Sequence, residues 1–222
     1  MRFVRYTDKK SGNPVEMKGV LDNAAVYRLH GSFLNNYTVE NRAFSTDEIV
    51  FLPPVLPAAI MCVNPSYAKS TASLAGNRSR VKIPAGLSYI YCLPRTAFVI
   101  KNLPNNSNGS AALFGVTLML DFFTEAGNPA ATASYDGYTV LGPSICTEVN
   151  GWIGFQINDK KLFNSAVPED KYVKFLGEFF SVMTFRAGDI LALTLTEDVY
   201  KCTRGDMLSL AYGEDLLEAY II

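Results

Sequence analysis

An excess of charge of either sign is the first thing that this 222-residue sequence lacks, because 20 lysine and arginine residues face 21 aspartate and glutamate residues. Proteins that bind nucleic acids or anionic membrane surfaces usually carry a basic surplus, which attracts the partner over long range. The balance of charge therefore argues against both kinds of partner.

Long hydrophobic runs and clustered cysteines are also missing. The most apolar stretch, residues 55–63, contains Pro57 and is too short to cross a bilayer. The first residues contain no apolar segment typical of a signal peptide. The four cysteines form no Cys-x-x-Cys or Cys/His motif and are far apart in the chain, at Cys62, Cys92, Cys146 and Cys202. Such spacing is typical of free, buried thiols in a reducing compartment, so we expect a cytoplasmic protein.

Common catalytic and nucleotide-binding motifs are absent as well. The sequence contains no Gly-x-Ser-x-Gly elbow, no phosphate-binding Gly-Lys-Ser/Thr loop and no dinucleotide-binding Gly-x-Gly-x-x-Gly. The only histidine, His30, has no acidic or cysteine partner close to it in the sequence. This favours a structural or surface histidine over a catalytic one.

What is present is enough apolar sequence for a sizeable core, with 49% hydrophobic and 12% aromatic residues. Short apolar stretches between turn-forming residues predict a mainly β (α+β) protein with few helices. We expect residues 1–52 to form a small β-rich N-terminal piece and residues 53–222 to form the main domain. Residues 113–123 are almost continuously apolar, which predicts a strand covered on both faces. The one amphipathic helix is predicted at about residues 168–183.

Five segments carry a family resemblance, in this order: LPPVLPAAIMCVNPSYA (52–68), GVTLMLD (115–121), SYDGYTVLGP (134–143), FLGEFFSVMTFRAGDI (175–190) and GDMLSLAYGEDL (205–216). Together they resemble the fumarylacetoacetate hydrolase superfamily, especially its short bacterial members. The resemblance implies a mixed, mainly β fold built around a rolled sheet, and a homodimer.

The resemblance also implies a metal site that the sequence no longer supports. Enzymes of the family act on 1,3-dicarbonyl-type acids through a divalent cation, held by a Glu-x-Glu pair and one aspartate. Asp121 matches the aspartate. The stretch between Pro94 and Gly115, which should carry the Glu-x-Glu pair, contains no acidic residue, and we expect that segment to be absent. One carboxylate alone binds Mg²⁺ poorly, so we expect no metal and no other cofactor.

The acid–base residues implied by the resemblance are missing too. A His and a Glu three residues apart activate water in the family, and Ser70 and Ser73 stand at those positions. Neither hydroxyl can act as a base near neutral pH. The Gly-Thr pair that contacts the substrate carboxylate corresponds to Thr194 and Leu195. We interpret these changes as the replacement of ionic and proton-transferring groups by small or apolar ones.

The residues that match the family define a candidate pocket. Asp121 is the one candidate catalytic residue, and the candidate substrate-binding residues are Tyr67, Ser70, Tyr135, Thr194 and Leu195. Two interpretations of Asp121 are open. It is either a remnant paired by backbone amides, or a functional acid in an apolar pocket with a raised pKa.

Two functions from different classes fit these losses. The first is a cofactor-free enzyme that binds a small hydrophobic molecule, a polyketide-like or 1,3-dicarbonyl intermediate of secondary metabolism. It would promote a cyclisation or isomerisation, including a pericyclic step, by holding a reactive geometry. The second is a non-catalytic homologue retained for dimerisation or ligand binding. The first predicts an open, mostly apolar cavity framed by the candidate residues, and the second predicts that side chains fill this space.

Overall fold

The computed structural model describes residues 1–10, 15–101, 112–125, 128–149, 151–166 and 177–222. It confirms the mainly β class. In chain order the strands are β1 (Arg2–Asp8), β2 (Met17–Asp22), β3 (Ala25–Gly31), β4 (Tyr37–Ser45), β5 (Ile49–Leu52), β6 (Ile60–Val63), β7 (Tyr67–Lys69), β8 (Leu74–Ala75), β9 (Ser79–Val81), β10 (Tyr89–Ile100), β11 (Leu113–Phe123), β12 (Thr139–Cys146), β13 (Trp152–Ile157), β14 (Lys160–Ala166), β15 (Ile190–Thr194), β16 (Tyr200–Thr203), β17 (Met207–Tyr212) and β18 (Asp215–Ile221).

Helices within these ranges are short. They are α1 (Pro129–Thr132) and α2 (177–182), with single turns of 3-10 helix at Thr46–Glu48 and Thr71–Ser73. The helix predicted at about 168–183 falls largely outside the described residues, and its described part is the α2 segment. No helix in the described ranges is long and apolar enough to cross a membrane.

The strands form two mixed sheets. The larger has 13 strands in the order β4-β3-β2-β1-β12-β11-β10-β15-β6-β7, with β16 beside β10, β5 beside β1 and β8 beside β12. The smaller has the order β14-β13-β17-β18-β9. Because β1 pairs with β12, the N-terminal strands continue the larger sheet. The domain boundary at residue 52 stays a prediction.

The long pair β10–β11 runs through the middle of the molecule. β11 has the bounds predicted from the sequence, and its neighbour β10 is equally apolar. Successive side chains of a strand point to opposite faces, so this pair separates two core layers. Phe98 and Leu118 belong to the layer shared with the smaller sheet, whereas Val99 and Met119 belong to the layer shared with the N-terminal strands. A polar side chain on either face of this pair is therefore removed from water.

The Gly188-Asp189 pair fixes the start of β15. Gly188 has a φ of 92°, a left-handed conformation that glycine tolerates best. The Asp189 carboxylate accepts hydrogen bonds from the backbone amides of Ala58 at 3.0 Å, Ala59 at 2.8 Å and Arg186 at 2.7 Å. These bonds tie β15 to the segment that leads into β6, its parallel neighbour, and both strands continue into the candidate site.

Candidate functional site

Asp121 lies in β11 at the centre of a closed polar cluster. Lys69 donates a hydrogen bond from Nζ to Oδ1 of Asp121, and Arg95 donates from Nε to Oδ2 at 2.6 Å. The Tyr67 hydroxyl also donates to Oδ2, and the Cys62 Sγ lies 3.7 Å from the same oxygen. We call these five residues the Asp121 cluster.

Neighbouring strands bring the cluster together. β10 is antiparallel to β11 and places Leu93 directly opposite Asp121, with Arg95 two residues further on and on the same face. The short strand β7 contains Tyr67 and Lys69 at alternate positions, so both point to one face. β7 pairs with β6, where Cys62 lies opposite Tyr67.

Further oxygen atoms accept hydrogen bonds from the two cations. Arg95 donates from Nη1 to the Val63 carbonyl at 2.7 Å and from Nη2 to the Tyr67 hydroxyl at 3.1 Å. Lys69 donates from Nζ to the Tyr138 carbonyl at 2.9 Å. The side chains of the three charged residues are 0% exposed. Charges buried this deeply are tolerated only when they are paired and hydrogen-bonded, and these are.

The electrostatics of the cluster keep the carboxylate ionised. Burial by itself raises the pKa of Asp121, but the positive charges of Lys69 and Arg95 outweigh burial and hold the pKa below its usual value. Burial, reinforced by the negative charge of Asp121, raises the pKa of Cys62 to about 12 and also raises that of Tyr67. Both sequence-based interpretations therefore describe the surroundings of Asp121 wrongly. Its main partners are cationic side chains and not backbone amides, and its pKa is lowered and not raised.

A pH dependence follows from the lowered pKa. A carboxylate whose folded pKa lies below the unfolded value of about 3.9 stabilises the fold above that value. This contribution disappears as the pH falls through the folded pKa. We therefore expect the destabilisation caused by Asp121→Asn, measured by urea denaturation, to be largest near pH 7 and to shrink below about pH 4. A penalty that stayed constant or grew in acid would contradict the assigned pairing.

The residues around Asp121 do not fit a divalent cation. A Glu-x-Glu pair needs two positions on one face of the strand beside Asp121, and on β10 these positions are Leu93 and Arg95. The first offers no oxygen ligand and the second brings a positive charge. Within the described ranges, no group of three or more His, Cys, Asp or Glu side chains is arranged to hold a metal ion.

One expectation drawn from the sequence is corrected by this geometry. The charged groups at the site were not all replaced by small or apolar ones, because Lys69 and Arg95 place two cations at the Asp121 carboxylate. The expected absence of a Glu-x-Glu segment between Pro94 and Gly115 stays a prediction, since part of that stretch lies outside the described residues.

Ser70 and Ser73 have local structural roles. The Ser70 hydroxyl accepts a hydrogen bond from the Ala72 amide at 3.2 Å, and the Ser70 amide donates to the Ser134 hydroxyl at 2.9 Å. Ser73 shares a hydrogen bond with the Thr139 hydroxyl at 2.6 Å. These contacts cap the 3-10 turn and fix it to β12 and the segment before it.

Tyr135 and His30 lie at the surface. Tyr135 is 46% exposed and packs its ring against Tyr138, with centroids 5.3 Å apart. His30 pairs through Nε2 with Glu40, an acidic partner on the adjacent strand β4. The His30 side chain is half exposed, which is the surface placement favoured by the sequence.

Thr194 and Leu195 line a groove of about 1030 Å³ at the end of β15, which we call the Leu195 groove. The other described residues along it are Asn64, Pro65, Leu93, Thr96, Phe98, Ser165, Ala166, Glu178, Leu193, Thr196, Glu197 and Val199. The Leu195 amide donates to the Pro94 carbonyl at 3.2 Å, and the Thr194 hydroxyl donates to the Thr196 carbonyl at 2.8 Å. These bonds fix the backbone that forms the end of the groove.

The candidate residues do not share one groove in the described part of the chain. Leu93 borders both the Asp121 cluster and the Leu195 groove, but Asp121, Tyr67, Ser70 and Tyr135 do not line the groove. The first two are packed in the closed cluster. The structure therefore separates a filled polar centre from an open groove beside it.

Comparisons with solved structures agree on the fold. No protein-family model and no curated protein matches the sequence. The 5-carboxymethyl-2-hydroxymuconate delta-isomerase from Mycobacterium smegmatis superposes with a TM-score of 0.85 at 16% identity, covering 100% of this chain and 99% of that one. The fumarylacetoacetate hydrolase from Exiguobacterium antarcticum superposes with a TM-score of 0.83 at 17% identity, with the same coverage.

A third structure was solved with a metal. The maleylpyruvate hydrolase from Sphingobium sp. SYK-6, in complex with a manganese(II) ion and pyruvate, superposes with a TM-score of 0.78 at 16% identity, covering 100% of this chain and 99% of that one. At such identities these likenesses establish the fold alone. The resemblance inferred from the five sequence segments is thereby confirmed at the level of the fold, whose known examples include isomerases and hydrolases.

Proposed function

We propose that this chain, which has the fold of fumarylacetoacetate hydrolase, is a metal-independent protein that binds a small, mainly apolar organic molecule in the Leu195 groove. In the groove it would promote a cyclisation or isomerisation of a polyketide-like or 1,3-dicarbonyl intermediate. The proposal assigns the Asp121 cluster to the framework of the site and not to the reaction.

The observation that carries metal independence is the pairing of Asp121 with Lys69 and Arg95. Both oxygens of the carboxylate are taken by cationic donors in a space closed to water. A divalent ion at the same carboxylate would meet two positive charges without a second acidic ligand, and repulsion between buried charges is strong.

The groove supports the proposed class of ligand. Its volume of about 1030 Å³ suits a drug-sized molecule, since ligand pockets measure about 300–1,000 Å³. Leu93, Phe98, Leu193, Leu195 and Val199 give it mostly apolar walls. A protein that holds a flexible chain in a reactive conformation accelerates an intramolecular step without supplying a metal or a base.

A second candidate, a non-catalytic homologue retained for dimerisation or ligand binding, is favoured by one observation. Asp121, the single catalytic candidate, is 0% exposed behind Tyr67 and Arg95. Incubation with the linear triketone heptane-2,4,6-trione separates the two candidates. The triketone cyclises to a pyranone with release of one water, so catalysis is measured as the rate of pyranone formation. Faster formation of the pyranone with the protein than without it supports the enzyme, and ligand binding without this product supports the non-catalytic homologue.

Filling the groove tests the proposal. Leu195→Trp should weaken binding of the neutral 1,3-diketone dibenzoylmethane at least about tenfold, because an indole ring would occupy ligand space. The fold should survive, since a groove wall tolerates added bulk better than a packed core does. Dissociation constants from fluorescence or calorimetric titration, together with thermal melting curves, measure both effects.

Val182→Trp is the matched control, because Val182 is 78% exposed and does not line the groove. It should bind dibenzoylmethane like the unmodified protein. Equal affinity in the Leu195→Trp variant, or no binding to the unmodified protein at all, would refute a ligand site in this groove.

A further inference from the structure

The Thr96 hydroxyl is a buried polar group without an apparent role in the fold. Thr96 is 3% exposed, and its Oγ1 has no hydrogen-bond partner in the part of the chain that the structure describes. Buried hydroxyls are nearly always hydrogen-bonded, because an orphan loses its bond to water without replacement. An unpaired hydroxyl at the border of an open groove therefore indicates a hydrogen-bond partner from outside the chain.

The position of Thr96 explains why the fold gives it no partner. On β10 it lies between Leu118 of β11 and Leu193 of β15, which are its cross-strand neighbours. Phe98, two residues further along the same face, is also apolar. This face borders the Leu195 groove, and Thr96 is one of the residues that line the groove.

The charge of the groove narrows the class of ligand further. The charged residues along the described part of its lining are Glu178 and Glu197, both exposed and both acidic, and no Lys, Arg or His is among them. Along the described part of the lining, a carboxylate ligand would meet two like charges and no counter-ion. A neutral molecule avoids this cost.

We infer that Thr96 is the residue that orients the ligand in the Leu195 groove, by donating a hydrogen bond to the carbonyl oxygen of a neutral, mainly apolar ketone. This inference rests on the proposed function and deepens it by naming the ligand class and the residue that selects it. The Thr96 hydroxyl lies alone between apolar walls. A ketone carbonyl accepts its hydrogen bond and brings no further polar group that would have to lose its water. A site with one such polar group discriminates strongly against ligands that cannot pair with it.

The test compares three probes on three proteins. The probes are dibenzoylmethane, the matched hydrocarbon 1,3-diphenylpropane, and benzoylpyruvate, an acidic 1,3-dicarbonyl compound. The proteins are the unmodified chain, Thr96→Val, which has nearly the same shape without the hydroxyl, and Thr96→Ser, which keeps it. The unmodified protein should bind the diketone more tightly than the hydrocarbon, and benzoylpyruvate should bind at least tenfold more weakly than the diketone.

Thr96→Val should lose about tenfold in affinity for the diketone and nothing for the hydrocarbon, whereas Thr96→Ser should retain the preference. The melting temperature of Thr96→Val should be unchanged or higher, because the substitution removes an unsatisfied group. A lower melting temperature would show that the hydroxyl has a structural partner, and it would overturn the inference.

Each other outcome is equally decisive. If the unmodified protein binds the diketone and the hydrocarbon but Thr96→Val keeps the same preference, the role of Thr96 is wrong and the groove proposal stands. If the unmodified protein binds neither probe, both proposals fail. If ultracentrifugation shows that Leu195→Trp dissociates a dimer, the groove is an interface between two copies of the chain and the ligand assignment is overturned.

Discussion

Asp121→Ala should lower the free energy of unfolding by about 3–5 kcal/mol at pH 7, as is typical when one partner of a buried ion pair is removed. The substitution leaves Lys69 and Arg95 facing each other without a counter-charge in a space that is 0% exposed. Neither cation can move to water without unpacking β7 or β10. Chemical denaturation at pH 7 measures the effect.

Lys10→Met provides the control for this prediction, because it removes a cation from an ion pair with Glu48 at the surface. Lys10 is 74% exposed there, and exposed pairs of this kind contribute little to stability. It should leave the denaturation midpoint almost unchanged. If Asp121→Ala changed stability as little as Lys10→Met, the Asp121 cluster would not be a buried ion-pair network.

Replacing all three charges should be less harmful than removing Asp121 alone. The variant Lys69→Met/Asp121→Leu/Arg95→Met should be at least about 2 kcal/mol more stable than Asp121→Ala, because buried ionic groups are often exchanged for apolar ones without loss. Recovery should be incomplete, since the backbone carbonyls of Val63 and Tyr138 lose their donors, and an unsatisfied buried acceptor costs about 1–3 kcal/mol.

The comparison of single and triple variants is informative because the three residues act as one unit. Side chains in one hydrogen-bonded network have strongly non-additive effects on stability. A triple variant that is less stable than Asp121→Ala would show that the individual losses add. The three charges would then contribute to the free energy of unfolding independently of one another.

The sequence predicts the central strand of the fold well and the partners of Asp121 poorly. Residues 113–123 form one uninterrupted apolar run, and β11 has those bounds because both of its faces are buried. This is a local pattern, which a linear sequence displays directly.

The partners of Asp121 are distant in sequence, and this is why motif comparison missed them. Lys69 and Arg95 lie 52 and 26 residues before Asp121, and neither belongs to a recognisable motif. A physical argument was nevertheless available. Arg95 is the one charged residue within the 12-residue strand β10, as Asp121 is within β11. A lone charge in a strand buried on both faces needs a partner, and two lone charges of opposite sign predict a pair.

The division between the cluster and the groove was also beyond the sequence. Matching to the family placed Tyr67, Asp121, Thr194 and Leu195 around one cavity. Arg95 lies on the strand beside Asp121, and its guanidinium donates hydrogen bonds to Asp121 and to the Tyr67 hydroxyl in a packed centre. Only three-dimensional contacts show that Asp121 and Tyr67 lie in a packed centre, apart from the groove that Thr194 and Leu195 line.

The central claim is that Lys69 and Arg95, and not a metal ion, neutralise Asp121, and crystals grown with excess Mn²⁺ test it most directly. We predict electron density for the Lys69 ammonium and the Arg95 guanidinium in contact with the Asp121 carboxylate, and no anomalous peak at that site. An anomalous peak at a metal–oxygen distance of about 2.0–2.6 Å from Asp121, with Lys69 displaced, would contradict the account.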